Sequence, residues 1–142
     1  MNHYTSIEQS KHLLELGLKP ETADMIFFPE STENYETAVA IPYNERNRHN
    51  REDAIPCWSV GTLLELMPKF IIGKENKPII YRLCLYRLPN EDFWFVCYQG
   101  ETENDYGDIE YPDIHTEYES TSLFYNCYYM MVWLLQNNYI KE

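Results

Sequence analysis

Residues 79–99, IIYRLCLYRLPNEDFWFVCYQ, decide the fold of this chain. Two runs rich in β-branched and aromatic residues, 79–88 and 93–99, flank the loop PNED at 89–92. A short loop with Pro and Asn between two such runs is typical of a β-hairpin. We therefore predict an antiparallel hairpin here, at the centre of a sheet.

The hairpin loop also predicts the register of the two strands. If Leu88 pairs with Phe93, then Cys84 lies opposite Cys97, and side chains alternate between two faces of the sheet. The face predicted to meet the core carries Tyr81, Leu83, Leu85, Trp94 and Val96. The other face, predicted to be only partly covered, carries Arg82, Cys84, Tyr86, Phe95, Cys97 and Gln99.

The facing cysteines admit two interpretations. They could form a redox pair or half of a metal site, or they could simply pack as small apolar side chains. Packing is favoured, because the chain has four widely spaced cysteines, no CxxC, and no further Cys or His at ligand spacing. Residues 1–12 lack a secretory leader, and the apolar run at 128–135 is too short to span a bilayer. We expect a cytoplasmic protein with reduced thiols.

Helices are predicted at 6–17, 60–67 and 121–137. Thr5 and Glu8 fit a capping box for the first, Ser59 an N-cap for the second, and Ser120 or Thr121 a cap for the third. Shorter strands are predicted at 25–28 and 37–41, one helical turn or a tight connection at 20–24, and a polar loop at 42–53.

These elements predict the fold class. We expect one α+β domain over residues 1–142, with an antiparallel sheet of three to five strands centred on the 79–99 hairpin and about three helices covering it. The last helix should be the main apolar cover of the sheet, because apolar residues occupy most of its circumference.

Charge is distributed unevenly along the chain. The formal net charge is −12, and between Arg87 and Lys141 there is no Lys or Arg but there are ten acidic residues. Such a field repels phosphate backbones, so direct nucleic-acid binding is not expected. It would attract a basic protein or divalent cations, or serve solubility alone.

Acidic residues are densest in ETENDYGDIEYPDIHTEYES, residues 101–120, where eight of the twenty positions are Asp or Glu. We predict that this long connection between the hairpin and the last helix is either functional or partly disordered. Ile109 and Ile114 suggest that it forms a short extra strand. The candidate protein-contact residues are Glu103, Asp105, Tyr106, Asp108, Glu110, Tyr111 and Tyr118.

Residues 101–120 do not fit familiar catalytic or metal motifs. With Gly107 at position 6 of an EF-hand loop, Thr102, Asn104 and Tyr106 fall at ligand positions 1, 3 and 5 and Asp113 falls at 12. Only two of these positions could serve, so that loop is rejected, and a looser, weak cation site is kept as an alternative. No GxSxG, P-loop, GxGxxG or HExxH occurs. We predict no catalytic residue, no metal site and no cofactor. A small hydrolase or transferase using carboxylates and His115 is kept as the alternative.

Three segments, YTSIEQSKHLLELGLKPETADM (4–25), WSVGTLLELMP (58–68) and VWLLQNNYIK (132–141), cover 43 of the 142 residues. They resemble, in order, a family of short proteins from gut Bacteroidales and their prophages or mobile elements. The family implies a cytoplasmic accessory protein with phage-like associations and carries no catalytic residue across. The loop at 44–51 and the 101–120 stretch depart from it.

The expected function is therefore a non-enzymatic accessory protein of a mobile element or phage, contacting a basic partner through its acidic, tyrosine-rich surface. In one specific version, residues 101–119 imitate the phosphates of DNA on a basic DNA-binding surface. A structural homodimer is the further alternative.

Overall fold

The computed structural model describes residues 3–28, 39–42, 54–87, 89–90, 94–115 and 122–140. The chain divides into two compact units, with unit 1 ending at Leu66 and unit 2 covering Met67–Lys141. The prediction of one domain over 1–142 is not tested by this division and stays a prediction.

Unit 1 contains two helices and a small sheet. Its elements are α1 (Ile7–Glu15), a 3₁₀ turn (Pro20–Thr22), β1 (Met25–Phe28), β2 (Val39–Pro42), β3 (Ile55–Cys57) and α2 (Val60–Leu66). The antiparallel strands lie in the order β2-β1-β3, and Phe27, Ile55 and Cys57 form a core beneath Tyr4 and Ile7. The strand predicted at 25–28 is confirmed, and the strand predicted at 37–41 is observed at Val39–Pro42, with residues 37 and 38 outside the described residues. Residues 43–53 of the predicted polar loop lie outside the described residues.

The start of α1 corrects one prediction. Ser6, not Thr5, is the N-cap, and Gln9, not Glu8, closes the capping box by accepting a hydrogen bond from the Ser6 amide. Thr5 is instead fully buried. Its hydroxyl accepts the Trp58 amide at 3.0 Å and shares a 2.7 Å hydrogen bond with the Ser10 hydroxyl, so it is committed to tertiary contacts.

Trp58 is the largest fully buried side chain of unit 1. Its backbone carbonyl accepts the Thr5 amide at 2.9 Å, and its indole N–H donates to the Thr22 hydroxyl at 3.0 Å. The next residue, Ser59, donates its hydroxyl to Asp24 at 2.5 Å and accepts the Thr62 amide at 3.3 Å, as expected of the α2 N-cap. Segments distant in sequence thus converge on residues 58 and 59.

Unit 2 is built on the predicted hairpin. Its elements are β4 (Phe70–Ile72), β5 (Ile80–Arg87), β6 (Trp94–Gly100), β7 (Thr102–Glu103), β8 (Ile109–Glu110), β9 (Asp113–Ile114) and α3 (Leu123–Gln136). Four strands form an antiparallel sheet in the order β4-β5-β6-β9, while β7 and β8 pair with each other. The predicted register is confirmed, because Cys84 lies opposite Cys97 and Leu85 opposite Val96.

One face of this sheet is covered, and the other, which we call the open face, is only partly covered, with Arg82 and Gln99 exposed but Cys97 fully buried. On the covered face Tyr81, Val96 and Tyr98 are buried, and α3 packs on β6. The prediction for that face is wrong for Leu85 and Trp94, which are 38% and 40% exposed. Strand β4 pairs only with residues 80–82, so the turn end of β5 lies at an edge of the described sheet.

Buried side chains on α3 are drawn from most of its circumference, and they are Phe124, Asn126, Cys127, Tyr128, Met130, Met131, Leu134 and Leu135. The one polar member, Asn126, donates to the Trp94 carbonyl at 2.7 Å and so satisfies a β6 backbone group. The N-cap is Ser122 rather than Ser120 or Thr121, and its hydroxyl accepts the Tyr125 amide. Neither α3 nor another described helix has the length and apolar character needed to cross a bilayer.

The predicted α+β class is confirmed, since the described residues contain three α-helices and antiparallel sheets. The central sheet has four strands and contains the predicted hairpin, within the range of three to five strands. Helices predicted at 6–17, 60–67 and 121–137 are observed at Ile7–Glu15, Val60–Leu66 and Leu123–Gln136. Ends that differ by a residue or two are normal, because terminal turns lack full intrahelical hydrogen bonding.

Candidate functional site

The part of the acidic stretch that the structure describes, residues 101–115, is folded into strands, and we call it the acidic arm. Its strands β7 and β8 form a small hairpin through the pairs Thr102–Glu110 and Glu103–Ile109. Strand β9 then joins the edge of the main sheet, with Ile114 opposite Tyr98. The predicted extra strand is confirmed at residues 113–114. Through this strand the end of the arm pairs with β6 of the main sheet.

Asn104 organises the turn at the tip of the arm. Its side-chain carbonyl accepts the amides of Tyr106 and Asp108 at 2.9 and 3.0 Å, and its Nδ2 donates to Glu110 at 3.1 Å. The Asn104 amide also donates to the Asp108 carbonyl at 2.9 Å. Gly107 adopts φ +82°, a conformation that favours glycine. The tip is therefore held by side-chain hydrogen bonds within the arm.

The arm presents most of the residues that the sequence singled out as protein contacts. Tyr106 at the tip is 91% exposed, and Tyr111 is 60% exposed. Glu103, Asp105, Asp108 and Glu110 are exposed on the same short hairpin. Tyr118 lies outside the described residues. Six of the seven candidates are thus brought together in one segment.

A groove of about 520 Å³ lies between the arm and the open face of the main sheet. Its walls include Ile80, Arg82 and Cys84 from β5, Gln99 from β6, and Glu101 and Tyr111 from the arm. The groove thus combines an apolar side chain, Ile80, with the cation of Arg82 and the carboxylate of Glu101. This combination suits recognition of a polypeptide with mixed polarity.

Of the groove residues, sequence reasoning assigned only Tyr111 to a candidate site. The predicted register did place Arg82, Cys84 and Gln99 together on the partly covered face. Sequence reasoning also missed β4, although Phe70-Ile71-Ile72 is a β-branched and aromatic run between Pro68 and Gly73. With β4 in place, Phe70 and Ile72 extend the open face and are 60% and 57% exposed.

Asp113 and His115 form the one pair on the arm that resembles catalytic machinery. The Asp113 carboxylate lies 3.5 Å from His115 Nε2, and the imidazole meets the Phe95 ring edge-on at 6.2 Å between centroids. A carboxylate that orients an imidazole is part of general-base catalysis, but the chemistry also needs a nucleophile or an activated water. The pair is the only support for the hydrolase alternative in the described arm.

All four cysteines are free thiols, including the facing pair Cys84 and Cys97. Burial raises the pKa of Cys127 to about 12, and burial with the nearby Asp24 carboxylate raises the pKa of Cys57 to about 12. Such thiols stay protonated at neutral pH and are poor nucleophiles and ligands. Among the described residues, no cluster of three or more His, Cys, Asp or Glu side chains could hold a metal ion.

Tyr81 and Tyr98, on the covered face of the sheet, are buried, whereas the tyrosines of the arm are exposed. Burial, together with the Glu75 carboxylate that accepts its hydroxyl, raises the pKa of Tyr81 to about 12. The same hydrogen bond lowers the pKa of Glu75. Burial also raises the pKa of Tyr98, whose hydroxyl donates to the Pro68 carbonyl at 2.7 Å. These hydroxyls stabilise the fold, whereas the Tyr106 ring is displayed to solvent.

Replacing Asn104 with alanine is expected to loosen the tip of the arm without unfolding unit 2. The Tyr106 and Asp108 amides would lose their shared acceptor, so their hydrogen exchange should accelerate by about tenfold, equivalent to about 1.4 kcal/mol of local stability. Exchange NMR would measure this. The neighbouring change Asp105→Ala removes no described hydrogen bond of the tip and serves as control. Unchanged exchange in Asn104→Ala would contradict the assigned role.

Comparison of the chain with known protein families, with curated proteins and with solved structures finds no match.

Proposed function

We propose that the protein is a non-enzymatic binding protein whose acidic arm, with the adjoining groove, contacts a basic surface on another protein. The observation that carries this proposal is the Asn104-clamped turn, which holds Tyr106 at 91% exposure among acidic side chains. Displaying a large aromatic ring to water has no benefit for folding, whereas tyrosine is a preferred anchor at protein interfaces.

Charge favours a basic partner. Residues 101–115 carry six acidic side chains and no Lys or Arg, so the arm attracts cations over roughly a Debye length, about 10 Å at moderate salt. Attraction of this kind accelerates encounter, while burial of Tyr106 and Tyr111 would supply the short-range free energy. The same field disfavours direct nucleic-acid binding.

An ordered arm also lowers the entropic cost of association. A segment that folds only on binding spends part of its interaction free energy on ordering. Here the β7–β8 hairpin and the β9 pairing already fix the backbone of the contact residues. We infer that the arm binds as a preformed element with little change in its backbone.

The proposed cellular context rests on the resemblance to proteins of Bacteroidales prophages and mobile elements. It favours a cytoplasmic accessory role, and four reduced thiols agree with a reducing compartment. A basic DNA-binding protein is then a natural partner, on which the arm would occupy the surface otherwise used by phosphates.

The test compares two variants with equal loss of charge. In the arm variant, Glu103→Gln, Asp105→Asn, Asp108→Asn and Glu110→Gln remove four exposed carboxylates; in the control, Glu8→Gln, Glu15→Gln, Glu21→Gln and Glu65→Gln remove four exposed carboxylates from unit 1. Immobilised wild type and both variants are exposed to host lysate at low and moderate salt, and retained proteins are identified. A basic protein kept by wild type and control but lost from the arm variant is the expected result.

Cys84 provides a built-in reporter for the groove, because it is half-buried in the groove wall. Alkylation of Cys84, followed by mass spectrometry, should slow when the captured partner is added to wild-type protein, and should not slow for the arm variant. Equal capture by the arm variant and the control would overturn the proposal. Failure of wild type to retain any basic protein at low salt would do the same.

A further inference from the structure

Strand β4 carries an open backbone edge. The Gly73 amide donates to the Ile79 carbonyl at 2.7 Å and the Leu83 amide donates to the Lys69 carbonyl at 2.9 Å, so residues 69 and 73 direct their backbone groups toward β5. Because these directions alternate in an antiparallel strand, Phe70 and Ile72 direct theirs away from the sheet. Within the described part of the chain, no strand pairs with that side of β4.

The side chains at this edge are apolar and exposed. Phe70, Ile72 and Ile80 are 60%, 57% and 59% exposed and share the open face, since Phe70 lies opposite Arg82 and Ile72 opposite Ile80. Natural sheets usually protect such an edge with charge, proline or a covering element, because it can template another strand. An exposed apolar edge strand is therefore a candidate for pairing with a further chain.

Charge around β4 is opposite to that of the acidic arm. Residues 67–87 contain five cations, Lys69, Lys74, Lys77, Arg82 and Arg87, and one acid, Glu75. Glu75 accepts the Tyr81 hydroxyl, and Lys74 donates to the Asn137 carbonyl at 2.8 Å. The remaining cations near β4, Lys69, Lys77 and Arg82, are exposed, and no described acid lies in an ion pair with them.

We propose that the open edge of β4 binds an extended acidic peptide of another protein, which adds to the sheet as a fifth main strand. Two apolar residues spaced by one position would lie opposite Phe70 and Ile72, and acidic residues on either side would lie near Lys69 and Lys77. Backbone hydrogen bonds to residues 70 and 72 would hold the strand, and the apolar and charged positions would select it.

A second copy of the chain fits this edge less well. Antiparallel pairing of two β4 strands about a two-fold axis would bring the cations of residues 69–77 of one copy beside the same cations of the other. Like charges placed together across paired strands are destabilising. The edge also contributes only the three residues of β4, a small area compared with what stable dimers bury.

The test uses arrays of synthetic nonapeptides on the full chain. One series has the pattern acid–apolar–x–apolar–acid, with Ile, Val, Leu or Phe at the apolar positions, and a second series has Lys in place of every acid. The acidic series should bind, more weakly as salt is raised, and the lysine series should not. Affinity of the best peptide is then measured by fluorescence anisotropy.

Variants locate the binding on β4. Ile72→Pro removes an outward amide without removing a bond to β5, and Lys69→Glu/Lys77→Glu reverses two charges. Each should weaken binding by about tenfold or more. The control Lys11→Glu/Lys19→Glu makes the same charge change on exposed residues of unit 1 and should bind normally. The arm variant should also bind normally, which separates this proposal from the proposed function.

Two outcomes would overturn the proposal. One is equal binding of the acidic and lysine series, or no binding by any acidic peptide. The other is a concentration-dependent dimer in light scattering that Ile72→Pro abolishes, because β4 would then pair with a second copy.

Discussion

Replacing Trp58 with alanine is expected to lower the free energy of unfolding by about 3–5 kcal/mol, a large share of the stability of a domain of this size. The change removes the largest fully buried side chain of unit 1 and leaves a cavity. It also deprives the Thr22 hydroxyl of the indole N–H that it accepts at 3.0 Å. Chemical denaturation followed by far-UV circular dichroism measures the loss.

A matched tryptophan provides the control. Trp94 is 40% exposed, and the Arg87 guanidinium lies 5.9 Å from its ring centroid. Trp94→Ala should therefore cost less than about 1 kcal/mol. Trp58→Phe keeps most of the buried volume but loses the indole N–H. Its cost in unfolding free energy should therefore fall between those of Trp58→Ala and Trp94→Ala. Equal destabilisation by Trp58→Ala and Trp94→Ala would contradict the packing described for unit 1.

Replacing Tyr98 with alanine is the counterpart in unit 2, again with an expected loss of about 3–5 kcal/mol. Tyr98 is fully buried in the centre of the sheet, between Leu83 on β5 and Ile114 on β9. Truncation would open a cavity and leave the Pro68 carbonyl without the hydroxyl that donates to it at 2.7 Å. Thermal and urea denaturation of the purified variant measure the effect.

Two further tyrosine variants separate the contribution of the Tyr98 hydroxyl from that of its buried ring and provide an exposed control. Tyr98→Phe removes only the hydroxyl and should cost about 1–3 kcal/mol, because a partly buried carbonyl loses its donor. Tyr106→Ala removes a ring that is 91% exposed and should change stability by no more than about 0.5 kcal/mol. A large loss of stability in Tyr106→Ala would show that the tip of the arm supports the fold and is not a contact surface.

The hairpin and its register were predictable because a short loop and strict alternation leave few ways to pair residues 79–88 with 93–99. The cap of α1 was not, because Thr5 and Ser6 have equivalent capping chemistry. Only the tertiary structure, which buries Thr5 against Trp58, assigns the cap to Ser6. Local propensity cannot distinguish two neighbouring hydroxyls when a distant residue binds one of them.

The candidate site was predictable in composition but not in form. Acid and tyrosine density identified residues 101–120, yet the fold of the arm depends on Asn104, whose role arises from three side-chain hydrogen bonds. The groove is lined by residues of β5, β6 and the arm, which are distant in sequence and meet only when the sheet forms. Contacts of that kind are set by the sheet as a whole, so a pattern in one short segment does not reveal them.

The Asn104 clamp separates the shape of the arm from the identity of the residues it displays. The turn is fixed by one amide side chain and by the backbone freedom of Gly107, and from Tyr106 and Asp108 it uses only backbone groups. Positions 105, 106 and 108 are thus open to substitution without loss of the turn. Selection, or an engineer grafting a binding loop, can change what this tip recognises while the scaffold beneath it stays the same.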